Sequence, residues 1–286
     1  MRKVYLLVLP SLIYLFFWFI YPFIYDIYIS FFYYSLQKPM EPVFIGFDNY
    51  VKVFSDPAFI NSIKITFVYT AICFVIELGL GMGIAFLLAR DLPGITVLRI
   101  LFMIPILLMP IGIGVMWKLM FLPGFGVADY LAGFFGMAGL PWFGDFFWSS
   151  VLIILMDVWQ WTPFMTLIIL AGILGLPKEP YEAAAVDGLT QRQIFTKITL
   201  PMLSPVIAIA SLLRILDLFK LYDPIFVVTR GGVGTETLSH YIYRTGFRIL
   251  NIGWAGCVSF MFWIIVFILA NVLVRLLGHI IWGEVS

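Results

Sequence analysis

The residues best placed to act on another molecule are charges set inside apolar runs. Arg214, Asp217, Lys220 and Asp223 recur at intervals of three within the stretch 203–227, which is otherwise dominated by Leu, Ile, Ala and Phe. On a helix, residues three or four apart share a face, so these four can neutralise one another in series. Glu77 interrupts a second apolar run, Asp157 with Gln160 interrupts a third, and Asn271 adds a polar group to the last. Ionisable groups in such runs are costly, so they pair with one another or line a path for something polar. The chemistry they offer is recognition. Carboxylates, a guanidinium and an amide can exchange hydrogen bonds with hydroxyl groups. Trp159, Trp161 and Tyr222 can lay aromatic faces against C–H surfaces. Two readings follow: a self-satisfied polar stripe between helices, or the lining of a translocation path. Counting from Leu203 at about 1.5 Å per residue sets Arg214 and Asp217 roughly 16–21 Å in. The rings mark a path less well than the polar set, because 18% of the chain is Phe, Trp or Tyr and most such rings pack or face lipid.

No catalytic constellation accompanies these residues. The sequence has no G-x-x-x-x-G-K-[ST] cradle for ATP phosphates, no H-E-x-x-H metal motif and no aspartate-rich prenyl-transfer motif. The cluster Gly231-Gly232-Val233-Gly234 lacks the following Lys and reads as a tight turn. Cys73 and Cys257 fall inside apolar runs and read as free thiols, and no Cys/His cluster would hold zinc. A net charge of +1 gives no case for a nucleic-acid partner. The chain is therefore not expected to be an enzyme or to bind a cofactor of its own.

Composition dictates the elements that must position the polar groups. Residues are 63% hydrophobic and 12% charged, with a mean hydropathy of +1.05. A soluble domain carries about 25% charged residues, so this chain must use lipid as a solvent. Only helices or a closed barrel satisfy the backbone there, and long continuous apolar runs favour helices over alternating strands. Six stretches can cross a membrane: 4–32, 62–89, 97–121, 147–174, 203–227 and 254–281. The expected fold is all-α, a single transmembrane domain over residues 1–286 with about six spans. The first span follows Arg2 and Lys3, lacks a small-residue cleavage site and reads as uncleaved. The termini side holds Arg2, Lys3, Arg90, Arg99, Lys178, Arg192, Lys197 and Arg275; the other holds Lys38, Lys52, Lys64, Lys118, Arg230, Arg244 and Arg248. The first set sits in shorter loops, which leans toward cytoplasmic termini. Pro105, Pro110, Gly112 and Gly114 in the third span, Pro163 in the fourth and Pro205 in the fifth read either as ordinary tolerance of Pro in membrane helices or as kinks that open a cavity.

The connection over residues 177–201 is different in character. Pro180 suits a first helical turn, Glu179 and Glu182 put negative charge at its positive end, three alanines follow, and Gly188 can end it in a left-handed conformation. Thr190 with Gln193 has the spacing of a capping box for a second short helix, and Pro201 marks the return to the membrane. A small-residue helix tied to two spans is either a docking peg for another protein or a surface helix on the headgroups.

This segment resembles the Glu-Ala-Ala loop of ABC importer permeases: E-A-A, three residues, Gly, nine residues, I-x-L-P. Here it is Glu182-Ala183-Ala184, Gly188, then Ile198, Leu200 and Pro201, at full spacing. The stretches Phe44 to Tyr50, Asp56 to Phe59, Trp159 to Phe164, Gly231 to Leu238 and Tyr241 to Arg244 also look like those of maltose- and glycerol-phosphate-type permeases. The resemblance covers nearly the whole chain. It implies a multi-pass subunit of the cell membrane, working by alternating access for a sugar or related polyhydroxylated solute. Its implied partners are a second similar permease, two ATPase subunits carrying ATP and Mg, and an extracytoplasmic solute-binding protein. The loop would then be cytoplasmic, with Glu182, Ala183, Ala184 and Gly188 meeting the ATPase. A stand-alone ion-coupled transporter or channel is the alternative, and it gives no reason for the Ala-rich loop at this spacing.

Overall fold

A computed structural model describes residues 2–37, 41–136 and 139–282. Lys38 of the charge count lies outside the described residues, as do the side chains of Arg2 and Lys3. The chain is helical almost throughout. Helix α1 (Arg2–Leu15) passes through a π turn (Phe16–Ile20) into α2 (Tyr21–Ser30), and together they carry the first span, Leu9–Ser30. A minimal antiparallel pair follows, β1 (Phe32–Tyr33) with β2 (Val43–Phe44), then α3 (Asp48–Val53) and the long α4 (Pro57–Leu88). Asp56 caps α4 by accepting from the Ala58 and Phe59 amides. This cap starts the helix five residues before the expected Ser62, because Pro57 tolerates a first-turn position and the carboxylate satisfies the free amides.

The third apolar run is not one helix. It forms α5 (Ile95–Leu107) and α6 (Pro110–Met120), joined at 95°. Pro110 cannot donate and pushes Met109 into extended backbone, φ −65° and ψ 126°, so of the two readings the kink holds there, as a full break. Among the described residues five helices are long and apolar enough to cross a membrane, and a sixth span exists if α5 and α6 count as one. After the short α7 (Val127–Gly133) comes α8 (Phe146–Leu174), which packs closely along α4. Close approach is possible because Gly81 of α4 meets Met165 and Thr166, where a Cβ would lie 2.8 Å from the Met165 Cβ.

The connection beyond α8 holds α9 (Glu179–Val186) and α10 (Gln191–Ile194). Here the expectation of two separate short helices needs correcting. Only α9 is separate; α10 continues through a π turn (Phe195–Thr199) into α11 (Leu200–Leu218). The π turn is the device that admits Pro201. Leu200 donates to the Phe195 carbonyl five residues back, which shifts the ladder just before the missing amide. The first span uses the same device, Tyr21 donating to Phe16 ahead of Pro22. The fifth run also departs from a single helix: α11 stops at Leu218, and α12 (Asp223–Val228) restarts after an unwound turn. Finally α13 (Leu238–Tyr243) and a π turn (Arg244–Arg248) lead into α14 (Ile252–Trp282), which packs on α2 and α11. The main buried cluster joins α4, α8 and α12 through Ile65, Tyr69, Leu152, Ile153, Met156 and Ile225.

Candidate functional site

The centre of the molecule is an ionic hub. Arg214 of α11 is 1% exposed, and its guanidinium donates to Glu77 of α4 at 2.6 and 2.8 Å, to Asp157 of α8 at 2.5 Å, and to Asp217 at 2.9 Å. Glu77 and Asp157 are 0% and 2% exposed, so their charges are tolerable only because the planar fork of the guanidinium reaches both. Three helices are thereby fastened at one depth. Asp217 and Lys220 differ: they are 41% and 66% exposed and form a looser pair at 3.5 Å.

The series of four charges is thus split in two ways. The Arg214–Asp217–Lys220 neighbours do pair along the helix, but the shortest bonds of Arg214 run to other helices. Asp223 lies past the unwound turn rather than on the same helical face, and among the described residues it has no ion pair.

The unwinding at Phe219–Tyr222 exposes backbone carbonyls, and the loop before α13 satisfies them. Thr237 Oγ1 donates to the Leu221 carbonyl at 2.7 Å and Ser239 Oγ reaches the Phe219 carbonyl at 3.4 Å. Helix α11 ends at a cavity of about 100 Å³ bounded by Asp157, Gln160, Trp161, Asp217, Lys220 and Tyr222. Pro110 closes it at the α5–α6 break, and Gln160 Nε2 points to the Leu108 carbonyl, 3.4 Å away. A cleft continues from it past Trp161, Phe164 and Leu213. Trp161 also stacks over the Arg214 guanidinium, 4.9 Å from ring centre to carbon.

Of the eleven residues singled out from the sequence, Asp157, Gln160, Trp161, Arg214, Asp217, Lys220, Tyr222 and Asp223 border this one cavity. Glu77 sits behind Arg214, out of contact with the space. Trp159 turns away to pack on Trp117, ring centres 5.9 Å apart. Asn271 is exposed on α14 and donates to the Phe267 carbonyl. Among the described residues no group of three or more His, Cys, Asp or Glu could hold a metal ion.

Two features escaped the sequence reading. One is Asp26, the lone charge of the first span. The other is a cluster beyond α12: Arg244 donates twice to Glu236, at 2.7 and 2.9 Å, and His240 Nδ1 lies 2.9 Å from the same carboxylate. Burial pushes the Glu236 carboxyl up, but the bonds from His240 and Arg244 outweigh it and hold the group below its ordinary value. The bond from Glu236 likewise raises Arg244. The spacing of four and eight residues was the available signal. Its Gly231 neighbour forms the expected tight turn at φ +75°, and a Cβ there would strike the His240 ring at 2.5 Å.

On the opposite connection, α9 carries Glu182 and Ala183 on its exposed side, while Ala184 is buried against its own chain. Gly188 takes φ +69° and closes the helix, with Leu189 donating back to Ala184 at 3.0 Å. The Thr190–Gln193 capping box is fully formed. Tyr181 Oη donates to Thr199 Oγ1 at 3.0 Å and ties α9 to the π turn. Val186 is 89% exposed.

Residues 76–282 match the family described as the binding-protein-dependent transport system inner membrane component. This chain belongs to that family. It is 38% identical over 252 residues to a probable ABC transporter permease protein of Sinorhizobium fredii, covering 87% of this chain and 81% of the relative. It is 35% identical over 213 residues to the trehalose/maltose transport system permease protein of Thermococcus litoralis, covering 74% and 72%. Among solved structures, a chain of a bacterial alginate ABC transporter, in complex with an alginate pentasaccharide-bound periplasmic protein, aligns with a TM-score of 0.85. That alignment covers 98% of this chain and 95% of the other at 21% identity, a likeness of fold. Membership makes this permease a multi-pass inner-membrane protein and agrees with the importer resemblance. It gives no support to the stand-alone ion-coupled alternative.

Proposed function

We propose that this permease forms half of the translocation path of an ATP-driven importer and passes a sugar or related polyhydroxylated solute by alternating access. The cavity at the end of α11 carries the proposal. It combines exposed Asp217 and Lys220, the amide of Gln160 and the rings of Trp161 and Tyr222, donors and acceptors for hydroxyls beside apolar faces for the ring carbons. A relative named for trehalose and maltose supports the same class. The hub then serves as scaffold: Glu77, Asp157 and Arg214 hold the three helices while Asp217 and Lys220 meet the solute. Trp159 supports the wall through Trp117.

The partners are a second permease, two ATPase subunits and an extracytoplasmic binding protein. ATP and Mg belong to the ATPases. Both termini and α9 face the cytoplasm, and Glu182, Ala183 and Gly188 meet the ATPase while Ala184 anchors the peg to its own chain. The continuity from Thr190 to Arg214 lets a push at the peg arrive at the cavity.

The test is uptake by the complete complex in proteoliposomes, with the binding protein supplied outside. Labelled disaccharide should enter only with internal ATP, and Asp217→Asn should change KM or rate while assembly stays normal. Uptake without nucleotide, or collapse with uncoupler alone while ATP is present, would refute the ATP-driven reading.

A further inference from the structure

Another ionisable side chain of a membrane span stands apart from the hub. Asp26 is the lone charged residue of the first span, Leu9–Ser30. It is half-buried, and among the described residues its carboxyl has neither an ion pair nor a hydrogen bond. It sits four residues from the span's end, about 6 Å below Ser30. Gly256 of α14 lies directly against it: a Cβ there would come within 2.9 Å of the Asp26 carbonyl and 3.3 Å of Oδ1. Gly253 donates to the Tyr34 carbonyl at 3.1 Å, so the end of α2 and the start of α14 lie at one level.

Between them opens a cleft of about 280 Å³. Leu36, Ile242, Phe247 and Leu250 form its walls, Gly246 and Gly256 leave it room, and no basic residue among those described lines it. Both spans that flank it are largely uncovered, the first 6% and the last 11% buried. Among the described residues of this chain nothing covers the cleft, and it lies near the end of the first span, close to headgroup depth. A carboxylate there calls for a cation, and the apolar walls call for hydrocarbon. One molecule of the surroundings carries both.

We propose that this cleft binds a phospholipid with a primary-ammonium headgroup, of the ethanolamine class. Its N–H groups donate to Asp26, and its glycerol and first acyl carbons rest against Leu36, Phe247 and Leu250. A primary ammonium offers three donors, whereas a quaternary head offers none, so choline lipids bind less well. The proposal is independent of which solute is carried.

The experiment is lipid mass spectrometry on the whole transporter complex, purified in mild detergent from liposomes holding equal phosphatidylethanolamine and phosphatidylcholine. The wild type should retain the ethanolamine lipid selectively, and Asp26→Asn should lose about ten-fold or more of it, the worth of one charge-assisted hydrogen bond. Phe247→Ala, at an exposed wall position, keeps the carboxyl and should also lower retention, which covers the case in which the first variant fails to assemble. Equal retention in both variants, or equal retention of the two lipids, would overturn the proposal. Carbodiimide coupling separates the occupants. An amide between Asp26 and the lipid amine supports the assignment, while one to Lys38 or to a partner subunit's lysine would give the cleft to a protein cation and overturn it.

Discussion

Replacing Arg214 with Gln tests the hub most directly. The guanidinium makes four bonds to three carboxylates, and two of those carboxylates, Glu77 and Asp157, are sealed from solvent. Arg214→Gln leaves both negative charges buried without a counter-ion. Removing one partner of a buried pair costs about 3–5 kcal/mol. At about 1.4 kcal/mol per ten-fold, the folded-to-unfolded equilibrium ratio should drop by roughly a hundred-fold to a few thousand-fold. Asp217 is 41% exposed, and Asp217→Asn should cost only about 0–1 kcal/mol. The triple variant Glu77→Gln, Asp157→Asn, Arg214→Gln removes the stranded charges together and should recover all but about 1 kcal/mol, since neutral amides can still hydrogen-bond. Thermal unfolding of the purified complex, followed by the loss of its size-exclusion peak, gives the order: wild type, then Asp217→Asn, then the triple variant, then Arg214→Gln lowest by a wide margin. If Arg214→Gln unfolds with the wild type, or if the triple variant is no better than the single one, the hub does not hold the helices together.

Two further outcomes are expected. Gly188→Asn keeps a left-handed turn that Asn tolerates, and within this chain nothing lies within 4 Å of the added Cβ. The subunit should insert normally while uptake falls about ten-fold or more through crowding at the ATPase contact; wild-type uptake would remove Gly188 from that contact. Glu236 gives a pH signature. Its folded value is depressed, so its contribution is full above the ordinary Glu value near 4.3 and is lost as pH falls through the lower folded value. Acid scans should show the wild type losing about 1 kcal/mol there relative to Glu236→Gln, and parallel curves would discount the Arg244 pair.

The connection over residues 177–201 was the most legible part of the chain, because helix starts and stops are local. Pro180, Gly188 and the Thr190–Gln193 box act on neighbours within four residues, and each takes the conformation its chemistry favours. The charges of the site were legible as well, since any ionisable group stands out in an apolar run. Their pairing along α11 was legible too, from Arg214 to Lys220, but their pairing between helices was not. Nothing in the spacing of 77, 157 and 214 says that three helices meet at one level, which depends on contacts such as Gly81 against Met165. The breaks divide in the same way. Pro110 announced trouble in the third run, but the 95° angle depends on what packs at its two ends. The unwound turn at Phe219–Tyr222 has no Gly or Pro of its own, and it survives because Thr237 and Ser239, distant in sequence, take up its carbonyls.

The uninterrupted path from the Thr190 cap to Arg214 has a consequence for speed. A rod of about 35 Å that stays helical across its π turn and prolines needs no segment to refold, so displacement at one end reaches the other directly. The slow step of the cycle should then lie in parting the side-chain contacts around the far end, and the temperature dependence of turnover should report on those contacts rather than on the rod.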